Sequence, residues 1–266
     1  MPTRICRAFL AAAVFTLSVY AADQPWNGAP FTADPKALLA AAESVPAGDS
    51  AVVILLDEQR YTFDAQGHST RTNRQVFRIV DQSAVDDWAT LQAEWAPWYE
   101  EKPVIAARVI SKSGVVSELD AKVVTEAPAR DESLDMFSDN RIFRAPLPAI
   151  AAGSVVEQVV TWKDRNPLFD TGTSGRMQFG RYVPVEQSRL VIDAPSSLAV
   201  KIINKSQPQI AAKKEEKDGR QQIVFETGHI DALEDLEWNL PPDESAIPFI
   251  AFSTGRSWQE LARRYS

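Results

Sequence analysis

Residues 52–80 read VVILLDEQRYTFDAQGHSTRTNRQVFRIV, and this pattern predicts a β-hairpin. Val52 to Phe63 is rich in β-branched, aliphatic and aromatic residues, which favour strands. Asp64-Ala65-Gln66-Gly67 has the composition of a turn, and Arg71 to Val80 then runs back with strand character. The hairpin therefore marks the beginning of a β-rich region near residue 50.

Short strands and frequent turns continue to residue 253. Val104 to Ser111 and Val115 to Leu119 predict a second hairpin around a Lys-Ser-Gly turn, and Val155 to Trp162 predicts a further strand. The whole region reads as about eleven strands with no alternation of strands and helices. This texture predicts a mainly β fold, an antiparallel β-sandwich with a few short helices over residues 50–253. A division near residue 184 into two sub-sheets is compatible with the pattern.

Two helices are predicted from local signals. In the lead-in segment 22–49, Pro35 to Glu43 has Asp34 as its N-cap and a proline at the first helical position. A second helix is predicted within Ser83 to Tyr99, because large apolar residues recur there at helical spacing: Trp88, Leu91, Trp95 and Trp98.

The N-terminus has the pattern of a secretory signal peptide over residues 1–21. Arg4 and Arg7 precede a short apolar stretch, Ala8 to Val19, and Val19-Tyr20-Ala21 fits the small-residue cleavage site. The apolar stretch is too short to span a bilayer as a helix. We therefore expect a periplasmic or secreted protein with no membrane span after the signal is removed.

Cysteine content and charge exclude several classes of function. Cys6 is the only cysteine and lies within the predicted signal, so the mature chain has no thiol for a disulfide, a nucleophile or a metal site. The formal net charge is −8, and removal of the two signal arginines makes it −10. An acidic chain without a basic face argues against a nucleic-acid partner.

The sequence contains no recognisable catalytic or cofactor motif. His68 and His229 each follow a glycine and lack a metal-ligand spacing, so solvated turn positions are expected and neither a metal nor a cofactor is predicted. Carboxylates occur as close neighbours in the sequence. Because adjacent residues on a strand face opposite sides, such proximity does not predict a convergent pair. The neighbouring carboxylates are Asp86-Asp87, Glu100-Glu101, Asp235 with Glu237, and Asp243-Glu244.

Aromatic residues are the candidate binding groups. Such side chains stack on sugar rings or on a protein partner, although a core-facing stripe fits their predicted helical spacing better. The candidates are Trp88, Trp95, Trp98 and Tyr99.

Several short motifs, taken in order, resemble those of one family. They are Gln75-Val76-Phe77-Arg78-Ile79; Ala107-Arg108-Val109-Ile110 with Ser113-Gly114; Arg141 with Leu147-Pro148; Gly153-Ser154-Val155-Val156-Glu157; Pro184-Val185; and Arg189-Leu190. Together they resemble the β-rich domain of unknown function that lies N-terminal to a transglutaminase-like domain in exported bacterial proteins. The resemblance spans roughly Ser50 to Asp231.

The resemblance also gives a reading of residues 254–266. Ser257 and Glu260 form a capping-box pair, and Trp258 and Tyr265 lie on one apolar face of the helix that the pair predicts. In the family, a similar helix opens the transglutaminase-like region, so we expect residues 254–266 to be the start of a truncated domain of that kind. Trp258 and Tyr265 are then expected to be poorly ordered or folded back onto the β-domain.

Three hypotheses on function follow. The first is a non-catalytic, exported accessory domain that recognises a substrate or partner of a transglutaminase-like, thiol amidase or peptidase unit, since the resemblance places the catalytic Cys, His and Asp beyond this chain. The second is a module that binds cell-wall glycan or peptide through its aromatic residues. The third is a carboxylate-based hydrolase, which requires two acidic side chains to converge in one pocket.

Overall fold

The structure is a computed structural model that describes residues 24–129, 139–165, 172–206, 208–234, 239, 245–255 and 262–263. The predicted signal peptide, 1–21, lies outside the described residues, as do Trp258 and Tyr265 of the predicted C-terminal helix. Within the described residues, no helix is both long enough and apolar enough to cross a bilayer.

Helices are short and strands dominate. The α-helices are α1 (Pro35–Ser44) and α2 (Val85–Trp88), and 3-10 turns occur at Pro25–Asn27, Gln82–Ala84 and Ala121–Val123. The strands are β1 (Val52–Phe63), β2 (Ser69–Ile79), β3 (Thr90–Trp95), β4 (Val104–Ile110), β5 (Val116–Glu118), β6 (Thr125–Pro128), β7 (Arg141–Pro146), β8 (Val155–Lys163), β9 (Ser174–Gln178), β10 (Ser188–Pro195), β11 (Lys201–Lys205), β12 (Ala212–Lys217), β13 (Arg220–Thr227) and β14 (Phe249–Ser253).

The strands form one large sheet and two small ones. The large sheet has the order β12-β13-β10-β1-β2-β8-β4-β5, and the small sheets have the orders β3-β7-β6 and β11-β14-β9. All strand pairs in these sheets are antiparallel except β1 with β10, which is parallel. The predicted mainly β fold with antiparallel sheets is thus confirmed. Strands from both sides of residue 184 share the large sheet, because β1 pairs with both β2 and β10.

Strand β1 contains a β-bulge and contributes side chains to three hydrophobic cores. Ile54 pairs with Phe77 and Leu56 with Val76, so Leu55 is the extra residue. An extra residue shifts the alternation of side chains between the faces of a sheet. Before the bulge, Ile54 enters one core. After it, Tyr61 enters another on the same face, while Leu55 and Leu56 both face the lead-in segment.

Each core fills the space between the large sheet and one other element. The first core includes Leu91, Trp95 and Phe143 of the β3-β7-β6 sheet. The third includes Met177 and Phe252 of the β11-β14-β9 sheet. The second is covered by the lead-in segment, including α1, and contains Trp26, Leu38, Leu39, Ala42 and Val45. The large sheet is therefore covered on both faces in its central part.

A buried ion cluster fastens the lead-in segment to the sheet. Glu157 of β8 is fully buried and accepts hydrogen bonds from Arg74 at 2.7 Å and 2.9 Å and from Arg108 at 2.9 Å. Arg74 also donates to the carbonyl of Gly28 at 2.6 Å, and the N–H of Phe31 donates to Glu157 at 3.0 Å. Buried charges of this kind require mutual pairing, so this cluster fixes where the lead-in segment lies.

The predicted α1 helix is confirmed, but the helix predicted within Ser83 to Tyr99 is wrong beyond Trp88. The side chain of Asp34 accepts from the N–H of Ala37 at 2.9 Å and caps α1. Thr90–Trp95 is instead the strand β3, whose side chains alternate between exposed and buried. The segment TLQAEW also alternates polar and apolar residues, and this period of two prevails once β3 pairs with β7.

Candidate functional site

A pocket of about 170 Å³ opens where β1, β2 and β8 meet the segment that follows β3. Its walls carry aromatic rings and charged groups of both signs. These are Tyr61, Arg71, Tyr99, Glu100, Trp162 and Asp164.

Glu100 and Asp164 face each other across an isolated antiparallel β-bridge. The N–H of Glu101 donates to the carbonyl of Lys163 at 2.8 Å, and the N–H of Arg165 donates to the carbonyl of Tyr99 at 2.7 Å. Hydrogen bonds that flank two opposite residues, and do not join them directly, identify a non-hydrogen-bonded pair. In such a pair the Cα atoms are about 4.5 Å apart and both side chains lie on the same face. The two carboxylates therefore share one wall of the pocket.

Glu100 is the buried acid of this pair, with only 8% of the residue exposed. Its Oε2 accepts from the N–H of Ala96 at 2.8 Å, and its Oε1 lies 4.0 Å from Nη2 of Arg71. Burial raises the pKa of the Glu100 carboxyl, and it outweighs the opposing effects of the Ala96 hydrogen bond and the Arg71 charge. The neighbouring Glu101 points away and pairs with Lys163 at 3.2 Å.

Asp164 is positioned by Ser69 at the beginning of β2. The backbone N–H and the hydroxyl of Ser69 donate to Oδ2 of Asp164 at 2.9 Å and 2.8 Å. The N–H of Asp164 donates in return to the carbonyl of Ser69 at 3.0 Å. These three bonds fix the carboxylate at the end of β8.

Arg71 forms the cationic wall. Its guanidinium carbon lies 4.1 Å from the centroid of the Trp162 ring, a cation–π arrangement. The indole N–H of Trp162 donates to the carbonyl of Glu94 at 2.8 Å, which fixes the ring beneath the guanidinium. Burial raises the pKa of the Tyr61 phenol, while the positive charge of Arg71 acts in the opposite direction.

Tyr99 and Trp98 form an aromatic rim. Burial raises the pKa of the Tyr99 phenol, and the Glu100 carboxylate adds to this effect. The rings of Trp98 and Tyr99 meet edge to face, with centroids 4.6 Å apart and an interplanar angle of 74°. Trp98 is 56% exposed, so an indole surface is available next to the pocket.

Because Gly175 has no side chain, Phe252 and Tyr61 can pack closely against its backbone at the remaining wall of the pocket. Tyr61 packs edge to face on Phe252 with ring centroids 4.7 Å apart. A Cβ at Gly175 would overlap the Phe252 ring and come within 2.9 Å of Cζ of Tyr61. Gly172, Thr173 and Ser174 also line the pocket, and the N–H of Thr173 donates to the hydroxyl of Thr254 at 2.9 Å.

Residues 65–234, more than half of the chain, match DUF3857, a domain of unknown function with a solved structure. The chain belongs to this family. No curated protein matches it.

The DUF3857 chain shares its fold with a solved structure from Parabacteroides distasonis ATCC 8503. That protein, described as a proposed protease, is 14% identical with a TM-score of 0.68, and the match covers 78% of this chain and 41% of the other. The chain thus spans less than half the length of that protein.

Two further solved structures are much less similar to this chain. An M1 zinc metallopeptidase from Deinococcus radiodurans is 7% identical with a TM-score of 0.35, and the match covers 77% of this chain and 43% of that one. A proposed nutrient binding protein from Legionella pneumophila is 6% identical, also with a TM-score of 0.35, and the match covers 78% of this chain and 68% of that one.

The DUF3857 fold separates the four aromatic residues singled out in the sequence. Trp95 is buried in the first core at 8% exposure, and its ring stacks with that of Phe143. Trp88 is half-buried, with its ring centroid 4.8 Å from that of Phe77. Trp98 and Tyr99 lie at the pocket. The shared helical face predicted for Trp88, Trp95 and Trp98 does not exist, because the chain leaves the helix after Trp88.

Neither histidine belongs to the described pocket lining, although His68 directly precedes the lining residue Ser69. His68 is half-exposed in the β1–β2 turn, with Nδ1 3.0 Å from Oδ2 of Asp64. His229 lies between two carboxylates, with Nδ1 3.1 Å from Glu186 and Nε2 3.2 Å from Asp231. In the part of the chain that the structure describes, no group of three or more histidine, cysteine or carboxylate residues is arranged to hold a metal ion.

Sequence reasoning missed three parts of the pocket. Arg71 has no local signal beyond strand character. Asp164 meets Glu100 only because of the bridge register. Gly172-Thr173-Ser174 reads as a flexible polar turn, although Ser174 begins a strand. Among the predicted neighbouring carboxylates, Asp235, Glu237, Asp243 and Glu244 lie outside the described residues.

Proposed function

We propose that this DUF3857 chain is an exported, non-catalytic recognition domain that works with a transglutaminase-like catalytic unit, and that the pocket is its ligand site. One observation carries the proposal. A solvent-accessible cavity joins aromatic surface to fixed charges, the combination that gives ligand sites their affinity and orientation. The domain would hold a substrate or partner while another unit performs the chemistry.

Export is inferred from the sequence alone. The N-terminal pattern of Arg4, Arg7 and the apolar stretch to Val19 supports a cleaved signal and a periplasmic or secreted location. The mature chain would then have no cysteine, which is compatible with an oxidising compartment in which no disulfide is needed.

The accessory role is supported by the family resemblance and by the greater length of the protein that shares the fold. The motif order resembles the domain that precedes transglutaminase-like domains, and the fold likeness is to a larger protein described as a proposed protease, of which this chain spans 41%. A recognition domain beside a peptide-processing unit accords with both. The resemblance assigns the catalytic cysteine, histidine and aspartate to that other unit.

The pocket supports binding better than nucleophilic catalysis. Its described lining contains no histidine or cysteine. Among the described lining residues, the hydroxyl of Ser69 donates to the Asp164 carboxylate and holds it in place. Serine nucleophiles are instead activated by a base that accepts their proton and is itself oriented by a third group.

Cell-envelope peptides and glycans are the partner class that we propose. The exposed indole of Trp98 offers a surface for an apolar chain or a sugar ring, and the charged pocket beside it offers a polar end site. Such a ligand would extend from the pocket across the rim.

A binding experiment tests this proposal. Purified mature chain is titrated calorimetrically with defined envelope fragments, namely stem peptides and glycan strands. We expect saturable binding of at least one fragment that Trp98→Ala weakens, with unchanged binding in Val123→Ala, which alters an exposed apolar residue elsewhere. If no fragment binds, or if binding ignores Trp98, the envelope-recognition proposal fails.

One observation favours a second candidate, a carboxylate-based hydrolase. Glu100 and Asp164 converge in one pocket, and burial raises the pKa of Glu100, as is typical of a general acid. The same fragments are incubated with the chain and examined by mass spectrometry. Cleavage that Glu100→Gln abolishes would establish the hydrolase and contradict the non-catalytic proposal. Intact fragments would exclude hydrolysis of these substrates.

A further inference from the structure

We infer that the pocket recognises a protonated primary amine, such as a lysine-type side chain of an envelope peptide. This inference rests on the proposed function, because it names the ligand class of the same site. It follows from the balance of charge, the state of Arg71, the aromatic rim and the size of the cavity.

The charged lining of the pocket is negative overall. Glu100 and Asp164 supply two carboxylates, and Arg71 supplies one guanidinium. Glu100 is 8% exposed, and its Oε1 lies no closer than 4.0 Å to Arg71, beyond hydrogen-bond range. A carboxylate removed from water whose contact with arginine is as long as 4.0 Å still gains from a ligand that brings a closer cation.

The guanidinium of Arg71 already contacts an aromatic ring, which argues against an anionic ligand. Its guanidinium lies over the Trp162 ring at 4.1 Å, and Arg71 is the cross-strand partner of Tyr61. Arginine binds carboxylates best through a free planar fork with two parallel hydrogen bonds. An anion entering the pocket would also meet both carboxylates at close range.

The rim suits the methylene chain of an alkylammonium ligand. Tyr99 lines the pocket and is flanked by Trp98, which is 56% exposed. Cations are attracted to the faces of aromatic rings, and the apolar stem of a lysine-type chain packs on such rings. The ammonium end would lie between the two carboxylates, and the stem would leave over Tyr99 toward Trp98.

The cavity size fits one alkyl chain rather than a sugar pair. Its volume is about 170 Å³. A cavity of about 150 Å³ accommodates one benzene molecule, whereas pockets for drug-sized ligands begin at about 300 Å³. The pocket therefore holds a single side chain or chain end, and larger parts of a ligand lie outside it.

The test compares three probes on the unaltered mature chain by NMR titration. The probes are the N-methylamides of Nα-acetyl-lysine (cationic), Nα-acetyl-norleucine (neutral) and Nα-acetyl-glutamate (anionic). We expect saturable shifts at pocket residues with the lysine probe only. Equal binding of the norleucine probe, or preferential binding of the glutamate probe, would overturn the inference without relying on any variant.

Variants then locate the binding. Glu100→Gln and Asp164→Asn keep an acceptor for Ala96 and for Ser69, and each should lower affinity for the lysine probe by about tenfold or more, the loss expected for a hydrogen bond to a charged group. Glu101→Gln removes the same charge one residue away on the opposite face and should leave affinity nearly unchanged. Equal losses in all three variants would show a general charge effect and contradict the site.

The outcomes also separate this inference from the proposed function. If envelope fragments bind in a Trp98-dependent way but the lysine probe does not bind, the amine inference fails and the recognition proposal stands. If neither the fragments nor the probe bind, both fail.

Discussion

Glu100 and Asp164 lie opposite each other in a single β-bridge, and their carboxylates share one wall of a partly aromatic pocket. Their sequence neighbours do not share this face, since Glu101 points outward to Lys163. The pairing brings together two like charges near one arginine, which stability alone does not favour. Such an arrangement is typical of a site shaped by a ligand.

Replacing Glu100 by glutamine is expected to stabilise the fold at neutral pH. Burial raises the folded-state pKa of Glu100 above its unfolded value, so the folded state binds more protons between these two pKa values and loses stability as the pH rises through them. We expect Glu100→Gln to raise the Tm at pH 7 by roughly 2–4 °C, which corresponds to about 1 kcal/mol.

The higher Tm of Glu100→Gln should disappear at a pH below the pKa of Glu100 in the unfolded chain, because the carboxyl group is then neutral in both the folded and the unfolded state. Thermal melts across this range, with Glu101→Gln as the matched control, measure the effect. A lower Tm for Glu100→Gln at pH 7 would show that the ionised carboxylate stabilises the empty pocket.

Trp98 and Trp95 should respond in opposite ways to truncation. Trp95 is buried against Phe143, so Trp95→Ala should cost about 3–5 kcal/mol in the free energy of unfolding. Trp98 is exposed, so Trp98→Ala should cost less than about 1 kcal/mol yet weaken ligand binding. Urea unfolding and calorimetric titration of both variants test this pair. Unchanged ligand binding by the Trp98→Ala variant would show that Trp98 is not part of the binding site.

The buried ion cluster around Glu157 should stabilise the fold and hold the lead-in segment against the large sheet. Glu157→Gln leaves Arg74 and Arg108 buried without a carboxylate, and we expect a loss of about 3–5 kcal/mol. Glu118→Gln removes an exposed carboxylate from the strand beside Arg108 and should change stability by less than about 0.5 kcal/mol.

Urea unfolding compares these two variants, and limited proteolysis followed by N-terminal sequencing detects release of residues 24–47. Faster cleavage there is expected for Glu157→Gln alone. Equal stability of the two variants would mean that the cluster does not hold the segment.

His229 should add a small, pH-dependent contribution to stability. Partial burial opposes its protonation, but hydrogen bonds to the Glu186 and Asp231 carboxylates prevail and raise the pKa of His229. The stabilisation is present below the unfolded pKa and is lost as the pH rises through the higher folded pKa. Because the ring is 42% exposed, less than about 1 kcal/mol is expected.

His229→Gln should therefore lower the Tm near pH 6 and leave it unchanged near pH 8.5. His68→Gln, at the exposed β1–β2 turn, provides a comparison for general histidine effects. A Tm difference that is the same at both pH values would rule out titration of His229 as the cause.

Gly175 should be required for the shape of the pocket. A methyl group there would overlap Phe252 and press on Tyr61, so Gly175→Ala should lower both stability and binding. Gly228→Ala is the matched control, because a Cβ at that position has no neighbour within 4 Å. Equal Tm values for the two variants would contradict this role.

The sequence predicts the regular parts of the fold well. The hairpin over residues 52–80 is readable because its strands are long and separated by a clear turn, and because the first begins with a run of aliphatic residues. Thr90–Trp95 misleads because Leu91 and Trp95 fit both a helical spacing of four and a strand alternation of two. The parallel pairing of β1 with β10 depends on contacts between distant segments, which no local pattern encodes.

The site was only partly predictable. The sequence indicates Trp98 and Tyr99 as candidate binding residues because of their aromatic character. The partnership of Glu100 with Asp164 depends on the register of one bridge between distant segments. Residue type alone therefore indicated the rim of the pocket but not its charged wall.

Chemical-shift mapping tests the central claim most directly. The ¹⁵N-labelled mature chain is titrated with the envelope fragment that binds best, and the backbone shifts are assigned. The account predicts shifts clustered at Tyr99 to Glu101, Asp164 and Thr173, with the fragment recovered intact. Shifts that cluster elsewhere on the domain, or cleavage of the fragment, would contradict a non-catalytic recognition site in this pocket.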